Sequence, residues 1–259
     1  MTKVQLASDI HLEQNPGLTF SDVITSVGNV LCLAGDIGCP RTPQYQEFLR
    51  QCSLNFPHTI VIAGNHEYRT CAMDYNDTMV GVDAYIETLC AKYDNVYYLA
   101  AGARKVINGI NFIGATLWSQ VNAPAFSEEH VKHLNTVWGV QRYDTDVTWS
   151  VDRCNRTHEE HLTNIAASIN WGLENALKNV IVTHHSPIVD GPFKIPEMPR
   201  NLLYASDLKG HIDGKYMTAW FFGHTHYNYL SGVNGTLVFT NQYGAKGIKG
   251  WSGSLCITI

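Results

Sequence analysis

Five short apolar runs in this chain each stop at residues able to hold a metal ion. Val4-Gln5-Leu6-Ala7-Ser8 stops at Asp9, with His11 just beyond. Val30-Leu31-Cys32-Leu33-Ala34 stops at Gly35-Asp36, and Thr59-Ile60-Val61-Ile62-Ala63 at Gly64-Asn65-His66-Glu67. Val180-Ile181-Val182-Thr183 stops at His184-His185, and Trp220-Phe221-Phe222 at Gly223-His224-Thr225-His226. Near-continuous apolar runs of this length predict strands buried on both faces. In α/β sheets, ligands collect beyond the carboxyl ends of the strands. The pattern therefore predicts an α/β fold in which five strand ends converge on one place.

The intervening sequence fits that class. Tyr45, Phe48, Leu49 and Cys52 follow helical spacing, with Thr42 as N-cap and Pro43 at the first helical position. Val82, Tyr85, Ile86, Leu89 and Cys90 make a second apolar stripe, and Thr157 with Glu160 reads as a capping box ahead of Leu162, Ile165, Ile169 and Leu173. Asn108-Gly109 and Asn234-Gly235 predict two hairpins, hence antiparallel strands and mixed sheets. At 259 residues, with no Pro/Gly/Ser-rich linker and no repeat, the chain reads as one domain over 1–259.

Each strand end has an ordinary reading by itself. Asp9-x-His11 could be a turn Asp and a surface His, and Gly35-Asp36 common turn chemistry. Asn65 could cap a helix, and His184-His185 could be a satisfied core pair. Gly223-His224-Thr225-His226 is harder to dismiss, because alternate residues of an extended segment project to one side. Six of the twelve histidines fall in these five segments, so one shared site explains more than five separate accidents. Carboxylate, imidazole and amide oxygen without thiolate suit Mn²⁺, Fe or Zn²⁺. The donors suffice for two ions, the arrangement that clamps the attacking and leaving oxygens of phosphoryl transfer.

Composition narrows the partners. The net charge is −5 with His neutral and no Lys/Arg run occurs, against a basic nucleic-acid footprint. The seven cysteines are scattered, odd in number and without a CxxC pair, which points to a reduced compartment. No window is apolar enough for a membrane span, and a cytoplasmic protein is expected.

The order Asp-x-His, Gly-Asp, Gly-Asn-His-Glu, His, Gly-His-x-His, from Asp9 to His226, resembles the calcineurin-like metallophosphoesterases. The resemblance implies a four-layer α/β/β/α sandwich of two mixed sheets. It assigns Asp9, His11 and His226 to one metal, and Asn65, His224 and one histidine of the 184–185 pair to the other. His184 is favoured because it directly follows the strand, which leaves His185 behind the ligands or facing substrate. Asp36 would bridge the ions. His66 would be the non-ligand histidine near the leaving group, with Glu67 either orienting it or being a plain surface or helix-start Glu. The two cofactor ions would be divalent, Mn²⁺ foremost. The second Asp and the Arg-Gly of the protein serine/threonine phosphatases are missing after Asp36. A small or diester phosphate, such as a nucleotide, is therefore the expected substrate.

The expected reaction is attack on phosphorus by a metal-bridging hydroxide. A nuclease of the same fold is the alternative, and a non-catalytic scaffold is a further one that the intact ligand set disfavours. Segments near 119–150 and 186–215 should carry specificity. Within or beside the first, Trp118, Trp138, Tyr143 and Trp149 could stack on a base or simply pack together, and His130 and His133 read as a solvated helix face.

Overall fold

The computed structural model describes residues 1–71, 78–121, 139–140, 142–192, 200–244 and 247–259. Strands β1 (Lys3–Ala7), β2 (Val30–Ala34), β3 (His58–Ile62) and β4 (Val96–Tyr98) run parallel, with β13 (Cys256–Thr258) antiparallel on the β1 edge, in the order β13-β1-β2-β3-β4. The second sheet has the order β11-β12-β10-β9-β6-β5. It comprises β5 (Ala103–Ile107), β6 (Ile110–Ala115), β9 (Lys178–Thr183), β10 (Ala219–Phe222), β11 (Leu230–Val233) and β12 (Thr236–Thr240). Its centre, β6-β9-β10-β12, is parallel and its two edges are antiparallel hairpins. Both hairpins turn at the expected Asn-Gly pairs, with φ 51° and 76° at Asn108-Gly109 and 47° and 84° at Asn234-Gly235.

Alternation along the strands builds the layers. Val30, Cys32 and Ala34 face Val180, Val182, Ala219 and Phe221 in the core between the two sheets. Leu31 and Leu33 turn the other way, onto helices α2 (Pro43–Asn55) and α4 (Met79–Cys90) through Phe48, Leu49, Ile86 and Leu89. On the far side, Ile181, Trp220 and Phe222 meet Ile165 and Ile169 of α5 (Val151–Glu174). The result is helix, sheet, sheet, helix. Each central strand side chain is dehydrated on its own face, at roughly 1.5–3 kcal/mol per large apolar residue.

The helix starts follow local chemistry, with one correction. The Thr42 hydroxyl accepts from Tyr45 N, and Pro43 opens α2 as expected. Thr157 does not cap α5. Ser150 does, accepting from Arg153 N, and Thr157 lies inside the helix with its hydroxyl on the Arg153 carbonyl. A Thr-x-x-Glu pair is equally compatible with a helix interior, where the hydroxyl bonds the preceding turn. Within the segment 119–150, β7 (Arg142–Asp144) and β8 (Val147–Thr148) pair as a short two-stranded sheet. Trp138, His130 and His133 lie outside the described residues.

The two sheets are stitched at one end. Ser8, just past β1, forms a parallel bridge with Gln242, just past β12, through Ser8 N to Asn241 O at 3.1 Å and Tyr243 N to Ser8 O at 3.0 Å. The carboxyl ends of β1, β2, β3, β9 and β10 open onto that same end.

Candidate metal centre

The chain turns sharply as it leaves these strands. Asp9, His11, Asp36, His224 and His226 all adopt left-handed backbone, with φ of 54°, 52°, 55°, 69° and 49°. Each such residue costs of order 1 kcal/mol unless its surroundings over-determine it, and such strain gathers at functional sites. The histidine pair is thus brought together by two left-handed turns, not by the extended segment expected from alternation. Neighbouring glycines make the approach possible. A Cβ on Gly35 would lie 2.5 Å from His184 Nδ1, one on Gly64 2.8 Å from His184 Cε1, and one on Gly223 2.6 Å from Asp9 Oδ2.

All seven candidate ligands meet here. The donor atoms of Asp9, His11 and His226 lie within 4.8 Å of one another, and so do those of Asp36, His184 and His224. His184 Nε2 is 3.3 Å from Asp36 Oδ2 and 3.1 Å from Asn65 Oδ1. His226 Nε2 is 3.4 Å from Asp9 Oδ1, and His11 Nε2 is 3.9 Å from Asp36 Oδ2.

Hydrogen bonding at the far side of each ring fixes what faces inward. The Ala34 carbonyl, 2.8 Å from His184 Nδ1, can only accept, so Nδ1 carries a hydrogen and Nε2 faces two oxygens across a space that takes either a proton or a metal ion. The Glu13 carboxylate does the same for His11, accepting from Nδ1 at 3.0 Å and leaving Nε2 against His226 Nε2 at 3.1 Å. His224 Nε2 is buried with no hydrogen-bond partner. Acceptors facing acceptors in a buried space need a cation among them. The residues therefore fit divalent metal ions of the borderline class. The carboxylate field is strong enough to hold protons as well. Burial disfavours a charged His184, yet Asp36 outweighs it and lifts that pKa to about 9. Burial would raise Asp36, but His184 and His66 hold it well below the usual carboxylate range. His224 has no such support: burial, then His185 and His184, push it well below the ordinary imidazole value.

Three side chains brace this set. Glu13 Oε1 also accepts from His66 Nδ1 at 2.9 Å, so one carboxylate orients two imidazoles. Burial opposes its ionisation, but His11 and His66 bring its pKa down to about 2. Glu67 is fully buried and accepts from the backbone N–H groups of Asp36, Ile37 and Gly64 at 2.9, 2.7 and 2.7 Å. It ties the Gly35-Asp36 turn to the Gly64-Asn65 turn, and so neither orients His66 nor lies at the surface. Gln242, also fully buried, accepts from His226 N at 2.6 Å and donates to Thr225 Oγ1 at 2.8 Å. This amide holds the left-handed turn at His226.

A cavity of about 330 Å³ opens over the cluster, lined by Asp36, Asn65, His66, Arg69, Tyr204, His224, Thr225 and His226.

The model of the calcineurin-like phosphoesterase family matches residues 3–228. The chain belongs to that family. It is 25% identical over 266 residues to the uncharacterized protein L509 of Acanthamoeba polyphaga mimivirus, covering 94% of this chain and 91% of that one. Among solved structures it resembles the phosphopantetheinyl hydrolase of Mycobacterium tuberculosis, with a TM-score of 0.62 at 17% identity over 93% and 89% of the two chains. It also resembles a putative 5'-nucleotidase from Staphylococcus aureus, with a TM-score of 0.53 at 13% identity over 95% of this chain and 49% of that one.

Against the other members of this calcineurin-like site, His185 stands apart. It is fully buried, with Nδ1 on the Thr116 carbonyl at 3.3 Å, Nε2 without a hydrogen-bond partner and its ring centroid 4.1 Å from that of His224, so it backs a candidate ligand. Trp118 is fully buried against Tyr68, Trp149 and His185, and Tyr143 stacks on Trp149. These aromatics pack together away from the cavity lining. Glu13, Arg69, Tyr204 and Gln242 were not found from sequence. For Arg69 a signal existed: on α3 (Asn65–Cys71) it falls three and four residues after His66 and Asn65, hence on their face. Glu13 lies two residues from His11, but its link to His66, like that of Gln242 to His226, joins segments remote in sequence.

Proposed function

We propose that this phosphoesterase hydrolyses small phosphoesters using two divalent ions, one on Asp9, His11 and His226 and one on Asn65, His184 and His224, with Asp36 between them. The observation that carries this reading is the meeting of two separate donor groups whose inward-facing atoms are nearly all acceptors. When bound, such ions supply Lewis acidity toward phosphoryl oxygens and lower the pKa of water at the site. Mn²⁺ suits the donor set, with Fe or Zn²⁺ as alternatives.

The chain's own contribution centres on His66. Glu13 accepts its Nδ1 hydrogen, so Nε2 is the nitrogen that can give a proton to a leaving oxygen. Burial disfavours the charged ring, but Asp36 and Glu13 outweigh this and raise its pKa, which keeps a proton available nearer neutrality. Glu13 orients the ring, and the His66 backbone N–H donates to Asp36 Oδ1 at 2.8 Å, fixing the two groups relative to each other.

A nucleotide or another small organic phosphate suits the cavity of about 330 Å³, and two structural neighbours are named for phosphopantetheinyl hydrolysis and 5'-nucleotidase activity. Both sheets contribute strand ends to the one site, which supports reading 1–259 as a single catalytic domain. No helix among the described residues is long and apolar enough to cross a membrane, and among the described cysteines Cys32, Cys52, Cys90, Cys154 and Cys256 are free thiols, in keeping with a cytoplasmic setting. The test is hydrolysis of nucleotides, cyclic nucleotides and aryl phosphates by metal-stripped protein with and without added Mn²⁺. Metal-dependent turnover is expected, and its absence across the panel would reject the reading.

A further inference from the structure

We infer that Arg69 selects phosphomonoesters over phosphodiesters at this site, an inference that rests on the phosphoester reading above. The helical spacing that puts Asn65 and His66 at the cavity puts Arg69 there too, while Glu67 and Tyr68 turn into the core. Its stem is held in place: a Cβ on Gly139, itself at φ 60°, would fall 2.5 Å from Arg69 Cδ and 2.8 Å from its Cβ. Only a glycine lets the two segments lie so close.

Among the described cavity-lining residues Arg69 is the sole permanently charged cation, and no described carboxylate lies within salt-bridge distance of it. Its charge is therefore not spent inside the fold. A monoester dianion carries one more negative charge than a diester monoanion, and Arg69 is the permanent cation on the described cavity lining that can offset it. A monoester also has three non-bridging oxygens against two, and a planar guanidinium can take the additional oxygen with paired N–H donors. A diester offers an ester substituent at that position instead. The substrate class follows: a phosphate attached through one oxygen, carried as its dianion.

The test compares Arg69→Ala and Arg69→Lys with the wild type, all metal-loaded and matched for metal content and melting temperature. Activity is read on p-nitrophenyl phosphate and bis(p-nitrophenyl) phosphate, and binding of inorganic phosphate and dimethyl phosphate by calorimetry. For Arg69→Ala the monoester-to-diester ratio of kcat/KM should fall about 10²-fold, the scale for removing one aligned donor from a reacting oxyanion. Arg69→Lys should recover part of this, because it keeps the charge without the fork. Phosphate should bind the Ala variant at least about tenfold more weakly, with a smaller loss for dimethyl phosphate. Equal losses on both esters and both anions, or no loss on either, would overturn the inference. If the wild type hydrolyses neither ester, the phosphoester reading fails, and phosphate binding still decides the role of Arg69. A wild type that binds no phosphate would overturn it.

Discussion

Two sets of buried histidines sit in this molecule, and burial does not tell them apart. At the strand ends, His184 is fully buried, and Asp36 outweighs that burial to hold its pKa near 9. On α5, His161 is also buried, but its Nδ1 accepts from Leu117 N at 3.2 Å. There burial, then His158, drive its pKa down to about 3. His158, one turn away, gives its Nδ1 hydrogen to the Leu117 and Trp118 carbonyls, each at 3.1 Å, and no carboxylate meets it. Backbone groups place the core rings, although His158 Nε2 is buried without a hydrogen-bond partner, as His224 Nε2 is. What separates the two sets is the carboxylates: Asp9, Asp36 and Glu13 lie against the strand-end rings, and no described carboxylate lies within ion-pair distance of His158 or His161.

The largest effect should come from removing the carboxylate that makes the difference. Asp36→Asn should lower kcat/KM by about 10³-fold or more, a loss of several kcal/mol of transition-state stabilisation at roughly 1.4 kcal/mol per decade. It should also deplete both ions together. Two fully occupied metals in the purified variant would show that Asp36 does not join the two groups.

His66→Ala should keep its metal and lose about 10²–10⁴-fold in kcat, the usual span for an acid–base group. The deficit should shrink on nitrophenyl esters, whose leaving group needs little protonation. The same loss on good and poor leaving groups would make His66 a phosphate-binding residue.

Glu13→Gln should cost about 10–100-fold in activity or metal affinity, as expected for a carboxylate that orients a ligand imidazole. Both His11 and His66 lose their shared acceptor, so metal affinity and the alkaline limb of the rate profile should move together. A shift in only one of them would split the two roles of Glu13.

The smallest effect belongs to the core set and runs through pH. Unfolded, His161 protonates near its ordinary value of about 6.5, whereas in the fold it stays neutral down to about 3. The unfolded state thus binds the extra proton. The stability contributed is complete above pH 6.5 and is lost as pH falls toward 3, by about 1.4 kcal/mol per unit. In urea unfolding at pH 7, 6 and 5, His161→Gln should show a shallower slope than the wild type by that amount, since Gln still accepts from Leu117 N. Identical slopes would mean that His161 is protonated in the fold.

The sequence alone determined the five central strands β1, β2, β3, β9 and β10, their burial on both faces, the Asn-Gly hairpins and the identity of the polar residues at each strand end. These are local properties: an apolar alternation, a turn dipeptide and a residue type are complete within a few positions. It also determined that Asp9, Asp36, Asn65, His184 and His224 belong together, because parallel strands align their carboxyl ends. It misread the conformation at His224 and His226, where two left-handed turns replace an extended segment, since the acceptors that hold them are Asp9 for His224 N and Gln242, 16 residues after His226, for His226 N. Glu67 does lie in the first turn of a helix, as the sequence allowed, but it is a fully buried acceptor for two separate turns, 31 residues from one of them, and not a surface residue. Thr157 looked like a cap and lies mid-helix. For His226 and Glu67 the deciding partner is distant along the chain, whereas for Thr157 it is local, the Arg153 carbonyl one turn back in a helix that Ser150 caps. A buried polar group goes wherever its hydrogen bonds can be completed, and only the tertiary structure says where that is.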